Sequence, residues 1–260
     1  MSRRPHPTGV LAGRPLGVPD QTAPPPETGP RPSDPQDAEL HRRFALLYGG
    51  VVYDAMRFDL RLSKPFVLDS RIKPAWRLPE RHVLFGPALT CKGERVQAES
   101  HIDDRVRIHM FERFTPGCVQ VIDTGGDETV AHFGDISGKL ARKFGAVGVV
   151  VDGYTRDVRI LEQDRFPVFC KGVQPIDAFG RWQIVAYDLP IAVAGPEGRV
   201  AVDPGDYVFG DPDGVLIIPR ASVEDVCRLA ERRLATEDAV RRELRETNDI
   251  QELYERLGRW

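Results

Sequence analysis

Apolar residues recur at helical spacing from Ala38 to Leu47, and Val51 to Met56 predicts a second short helix, so the ordered pattern starts near residue 38. Val83-Leu84-Phe85-Gly86-Pro87-Ala88-Leu89-Thr90-Cys91 predicts a buried strand broken at Gly-Pro, and Asp104 to Phe114 returns to helical spacing. The β-branched run Val119-Gln120-Val121-Ile122-Asp123 ends at Thr124-Gly125-Gly126; Ile136 to Phe144 then follows a helical period, and Ala146 to Val151 is again a strand. A strand, helix and strand with this connection length predict a right-handed parallel crossover, its helix covering the sheet. Val168-Phe169-Cys170, Gln183 to Ala186, Ile191 to Ala194 and Val215 to Ile218 are short strand candidates in a mostly β layer, with turns at Asp203-Pro204-Gly205-Asp206 and Asp211-Pro212-Asp213-Gly214. Val223, Val226, Cys227, Ala230 and Leu234 open a long charged C-terminal helix. The expected fold class is α/β with a parallel sheet core.

Composition adds the boundaries. Ten of the 22 prolines fall within residues 1–36, a stretch too poor in apolar side chains to offset chain ordering, so residues 1–37 are expected to form a disordered arm. Residues 38–222 then make one domain, and 223–260 a helical segment expected at a subunit interface. With 36 basic and 39 acidic residues interspersed and a net charge of −3, no basic stripe exists to neutralise a run of phosphates, which argues against nucleic acid as a partner. No apolar run is long enough for a membrane span, and the N-terminus lacks the hydrophobic stretch of a signal peptide; a cytoplasmic protein is expected. Cys91, Cys118, Cys170 and Cys227 never form a C-x-x-C pair and are expected to be reduced, buried and inert.

The candidate chemistry sits in the crossover. The loop after one strand, the start of the next helix and the loop after the following strand share one edge of an open α/β sheet, where such sheets bind ligands. Gly125, Gly126 and Asp127, then Gly134 to Gly138, then Asp152, Gly153, Arg156 and Asp157 should converge there. A helix starting at Asp135 offers free amides near Ser137 to Lys139 to a carboxylate, Arg156 can fork onto an anionic oxygen, and Asp157 can bind a hard cation. By spacing alone, an N-cap, a turn and a surface ion pair explain the same residues more simply.

Gly134-Asp135, twenty residues, then Arg156-Asp157 resembles the enzymatic signature of the RraA-like family, which includes 4-hydroxy-4-methyl-2-oxoglutarate aldolases. Gly86-Pro87-Ala88-Leu89-Thr90, Phe166-Pro167-Val168-Phe169, Gly180-Arg181, Pro204-Gly205-Asp206, Asp211-Pro212-Asp213-Gly214-Val215 and Ile218-Pro219-Arg220 match as well, and the resemblance spans roughly Phe44 to Leu244. It implies a swivelling β/β/α fold, homotrimers that can pair into hexamers, and sites at subunit interfaces. It further implies that Asp157 ligates Mg²⁺ or Mn²⁺, that Arg156 holds pyruvate and its enolate, and that Asp135 positions a water on the cation that relays protons. Gly134 and the amides of Ile136 and Ser137 would hold the carboxylate of a small 2-keto acid, and Arg181 would contact substrate. The implied activity is metal-dependent aldol cleavage, oxaloacetate decarboxylation, or both, since each passes through a pyruvate enolate. Some family members instead bind a ribonuclease without catalysis.

One departure stands out. Ile160 occupies a position where some members carry an acid, and the nearest acid is Glu162. Family aldolases borrow a glutamate from a neighbouring subunit's C-terminal helix; Glu237 shares a helical face with Val223, Ala230 and Leu234 and is the candidate. Elsewhere, His101-Ile102-Asp103-Asp104 with His109 lacks an established zinc spacing, His132 is a candidate to support the site from behind, and Lys139 and Lys171 read as surface charges.

Overall fold

A computed structural model describes residues 35–80, 82–96, 105–245 and 249–257; the proline-rich arm up to residue 34 and the segment from His101 to Asp104 lie outside the described residues. Helix α1 (Pro35–Phe44) begins three residues before the predicted start, and α2 (Gly49–Asp54) runs on through a π-helical turn, Ala55–Asp59. Next in chain order are β1 (Lys73–Pro74), β2 (Leu84–Arg95), α3 (Arg105–Phe111), β3 (Val119–Asp123), β4 (Ala131–Phe133), α4 (Asp135–Lys143), β5 (Gly148–Thr155), α5 (Val158–Gln163) and β6 (Val168–Val173). The remainder comprises β7 (Trp182–Tyr187), β8 (Ile191–Gly195), β9 (Gly198–Val202), β10 (Tyr207–Asp211), β11 (Gly214–Ile218), α6 (Val223–Glu243) and α7 (Ile250–Leu257).

Nine strands form one mixed sheet in the order β1-β6-β5-β3-β2-β10-β11, with β4 added to β5 and β7 to β2; β8 and β9 form a separate hairpin. Its centre is parallel, as the crossover predicts: β2 with β3, β3 with β5, and β5 with β6. The Val149-Val150-Val151 run of β5 is apolar at every step because both faces are covered. Val149 and Val151 pack into the layer that holds Met110, Phe111 and Ala141, whereas Val150 packs with Val193 and Val200 of the β8–β9 hairpin. Helix α6 packs Val223, Val226, Cys227 and Ala230 against α1 and α2 of its own chain.

Three expectations change. Strand β2 is not broken at Gly86-Pro87: Pro87 stands where the strand's partner changes from β10 (Leu84 to Pro87) to β3 (from Ala88), so the missing N–H interrupts no ladder. Gly86 is needed there because a Cβ would lie 2.0 Å from the Gly117 carbonyl oxygen. Strand β5 continues through Asp152-Gly153, which are therefore strand and not loop. Lys171 is no surface charge. Its side chain is 4% exposed, and Nζ lies 2.6 Å from Oδ1 of the buried Asp152 on the adjacent strand, too poorly aligned for a directed hydrogen bond but in full Coulomb contact. Asp152 Oδ2 also accepts the Ala194 N–H at 3.1 Å, so the pair ties the β8–β9 hairpin to the main sheet. All four cysteines are free and buried. Among the described residues no helix is long and apolar enough to cross a membrane.

Candidate active site

Strands β4 and β5 run parallel with Phe133 beside Thr155, and the Arg156 N–H and Thr155 hydroxyl both donate to the Phe133 carbonyl at 3.0 Å. The ends of the two strands are thereby clamped together. Gly134-Asp135, leaving β4, and Arg156-Asp157, leaving β5, are placed side by side despite the intervening helix and strand.

Asp157 takes a left-handed backbone conformation (φ 59°, ψ 28°) at the start of α5, and its side chain makes no capping bond to that helix. Asp is among the few residues that tolerate this region. Its Oδ2 instead accepts the Asp135 N–H at 3.3 Å and lies 3.5 Å from Arg156 Nε, while Arg156 Nη1 lies 3.5 Å from Asp177 Oδ2. Gly134 makes this possible by its size, since its backbone is ordinary extended chain: a Cβ would sit 2.6 Å from Asp157 Oδ2 and 3.3 Å from Arg156 Cγ. In the first turn of α4 the Gly138 N–H already bonds Gly134 O at 3.0 Å, so Ile136 and Ser137 have the amides left for a ligand, earlier than a start at Ser137 would give. Lys139 is half exposed and paired with Asp135 (3.3 Å) and Asp164 (2.6 Å), a surface charge as expected.

Gly134 to Ser137, Arg156 and Asp157 line a cleft of about 270 Å³ together with Arg107, Asp177, Phe179 and Trp182. The side chains of Asp135, Asp157 and Arg156 are 18%, 34% and 38% exposed, open enough to meet a ligand. Asp157 and Asp177 flank the Arg156 guanidinium, and Arg107 lines the same cleft. No group of three His, Cys, Asp or Glu residues encircles a metal position among the described residues. Hard oxygen donors without a closed cage suit Mg²⁺ or Mn²⁺, which are held by one or two carboxylates with water and substrate filling the rest, and do not suit a zinc site of nitrogen and sulfur ligands. Asp157 is the residue that would hold such an ion.

His132 stands behind this cluster. It is buried, accepts the Tyr154 N–H on Nδ1 (3.3 Å) and so carries its proton on Nε2, which donates to the buried Asp127 at 2.9 Å. Burial lowers its pKa and outweighs the hydrogen bond to Asp127, so the ring is neutral. Burial would raise the Asp127 carboxyl, but hydrogen bonds from Thr129, Arg95 and His132 together bring it below the usual range. With both nitrogens committed, His132 is a support and not a ligand.

Of the residues expected to converge, Gly134 to Ser137, Arg156 and Asp157 do, whereas Gly125, Gly126, Asp127, Asp152 and Gly153 are not in the cleft lining. Arg181 is exposed and outside the lining, next to Trp182, which lines it. Glu237 lies on α6, accepts hydrogen bonds from the Tyr48 hydroxyl and from Arg241, and does not line its own chain's cleft. Ile160 is 37% exposed and Glu162 exposed on α5, neither in the lining. Sequence reading missed Asp177, which sits in a loop without a distinguishing pattern, and Gln120, whose signal was a lone amide inside a β-branched strand.

Residues 51–217 match the family model described as RraA-like, Aldolase/RraA. The chain belongs to the RraA-like family. A Halalkalibacterium halodurans relative, provisionally named a 4-hydroxy-4-methyl-2-oxoglutarate aldolase, is 38% identical over 172 residues, 66% of this chain and 75% of that protein. Streptomyces coelicolor RraAS2, described as an unusual member of the RNase ES inhibitor RraA protein family, is similar at TM-score 0.66 and 25% identity over 81% of this chain and 99% of that one. A crystal structure described as one of novel cellulases from gut-associated microbes shares the fold at TM-score 0.70 and 28% identity, covering 82% of this chain and 92% of that one. The resemblance read from Asp135, Arg156 and Asp157 therefore holds for the family and the α/β fold.

Proposed function

We propose that this RraA-like protein is a divalent-metal-dependent carbon–carbon lyase that cleaves 4-hydroxy-2-oxo acids, decarboxylates oxaloacetate, or does both through a pyruvate enolate. The observation that carries this reading is the Asp157 carboxylate: held in left-handed backbone at a cleft, free of its own helix, beside Arg156 and the α4 N-terminus. A small 2-keto acid places its carboxylate against the Ile136 and Ser137 amides, where the helix dipole favours negative charge. Arg156 then faces the keto oxygen and hydrogen-bonds it more strongly as negative charge develops there. Asp157 holds Mg²⁺ or Mn²⁺, which when bound supplies a Lewis acid for that charge. In aldol cleavage the C3–C4 bond breaks as the C4 hydroxyl loses its proton; in decarboxylation CO₂ leaves C3. Asp135, partly exposed, relays that proton and returns one to C3 of the enolate, giving pyruvate.

Arg181, and Glu237 from a neighbouring copy, complete the site in a homotrimer or hexamer under this reading. The likeness to RraAS2 supports a competing one, a non-catalytic regulator that binds a ribonuclease. A surface-binding regulator has no use for an open cleft with an oriented Asp135, Arg156 and Asp157. Pyruvate release from oxaloacetate or 4-hydroxy-2-oxo acids, measured by coupling to lactate dehydrogenase with Mg²⁺ or Mn²⁺ present, separates the two. Metal-stimulated release is expected, and Asp157→Asn, which keeps a side chain tolerant of left-handed backbone, should lower it by about 100-fold or more. No release above the protein-free control, together with a stable ribonuclease complex, would favour the regulator.

A further inference from the structure

The cleft has two chemically different ends. Its mouth, at Asp135, Arg156, Asp157 and Asp177, is charged and partly exposed; its floor, on the face of β3 that meets α3 and β7, is made by Met110, Phe111, Ile122 and Ile184, all buried. One strongly polar side chain interrupts that floor. Gln120 is 1% exposed, and its carboxamide is oriented by its nitrogen: Nε2 donates to Cys91 Sγ and Met110 Sδ, both at 3.5 Å. Among the described residues Gln120 Oε1 has no hydrogen-bond partner. A second partnerless carboxamide oxygen, on Gln183 of β7, belongs to the same lining. Buried polar atoms are nearly always hydrogen-bonded, and an amide left unpaired in an apolar wall is what a site looks like when the missing donor belongs to its ligand.

We infer that the floor of the cleft is a specificity subsite in which the Gln120 carboxamide accepts a hydrogen bond from a hydroxyl on the substrate's far end. The inference rests on the lyase reading only for which half of the substrate lies there: the pyruvate half occupies the mouth, and the released fragment the floor. The substrate class is a 2-oxo acid whose chain beyond the cleaved bond carries a hydroxyl. The Ile122 and Ile184 walls suit the methylene chain, and an analogue without the hydroxyl would leave Oε1 buried and unsatisfied.

The test is binding of non-cleavable pairs to the full chain with Mg²⁺, measured by calorimetry: 2-oxopentanoate against 5-hydroxy-2-oxopentanoate, and 2-oxohexanoate against 6-hydroxy-2-oxohexanoate. In at least one pair the hydroxylated acid should bind about tenfold or more tightly, because a site built around a hydroxyl rejects the compound that lacks it. Gln120→Met, close in shape but apolar, should bring both members of the pair within about twofold; Gln120→Leu replaces it if the first variant loses cooperative unfolding. Equal binding within both pairs by the unaltered chain overturns the subsite. So does a preference that survives both substitutions. Pyruvate release from oxaloacetate by the unaltered chain reports separately on the chemistry. A hydroxyl preference lost with Gln120, alongside no pyruvate release, would uphold the subsite and overturn the lyase reading alone.

Discussion

Gly134 shows how far one missing atom can set a site. Its extended backbone would accept any residue, so Gly134→Ala should leave the thermal midpoint nearly unchanged. The added Cβ, 2.6 Å from Asp157 Oδ2, must push the carboxylate aside. Displacing a reacting group by about 1 Å costs on the order of 100-fold in rate, so metal-stimulated pyruvate formation should fall by about that factor with little change in stability. Unchanged activity in a normally folded Gly134→Ala protein would mean that the Asp157 position is irrelevant to the reaction. At this scale the sequence was informative where a motif specified residue types: Gly134, Asp135, Arg156 and Asp157 all meet. It was silent on Asp177 and on the depth of Gln120, because a loop carboxylate and a strand amide have no spacing that announces a cleft.

Elements explain both the convergence and the misreadings. Strands β4 and β5 end in register, and helix α4 together with β5 itself spans the motif's twenty-residue gap. The crossover, β3 and the long α6 were legible because each has a strong apolar period over enough residues. Strand β4, of three residues, is too short to show one, and β9, Gly198–Val202, alternates on a largely exposed hairpin. The Asp-Gly inside β5 looked like a turn because the partner that makes a buried Asp152 tolerable, Lys171, comes from the neighbouring strand. Removing Lys171 would leave the buried Asp152 carboxylate without its cation, at a cost of about 3–5 kcal/mol. The His132–Asp127 contact similarly binds β4 to the loop before it, and it carries a pH dependence. Because burial holds the folded-state pKa of His132 below 6.5, the unfolded chain takes up a proton that the folded chain refuses. The stability this ring contributes is complete above its unfolded pKa and declines as pH falls through 6.5 toward the lower folded value. The thermal midpoint should fall from about pH 7.5 to about pH 5.5, and more gently in His132→Gln; identical slopes would show that the ring is already charged in the fold.

For the molecule as a whole, a sheet covered on both faces supplies a rigid edge, and the cleft at that edge stays open on one side, where Ile136 and Phe179 are 63% and 75% exposed. Apolar side chains so exposed at the mouth of a charged cleft are consistent with the proposed trimer or hexamer, in which a second copy closes the site and Glu237 could be supplied from outside. Glu237 is otherwise engaged with Tyr48 and Arg241 of its own chain, so that contact would have to open on assembly. In the proposed lyase, whatever the assembly and whichever substrate is cleaved, the common step is a pyruvate enolate formed beside Arg156 and Asp157. The most direct measurement tracks the methyl protons of pyruvate by NMR in D₂O with Mg²⁺. Exchange for deuterium, dependent on both protein and metal and lost in Asp157→Asn, is the expected result; no exchange beyond the metal-only control, or equal exchange by the Asp157→Asn protein, would contradict an enolate site here.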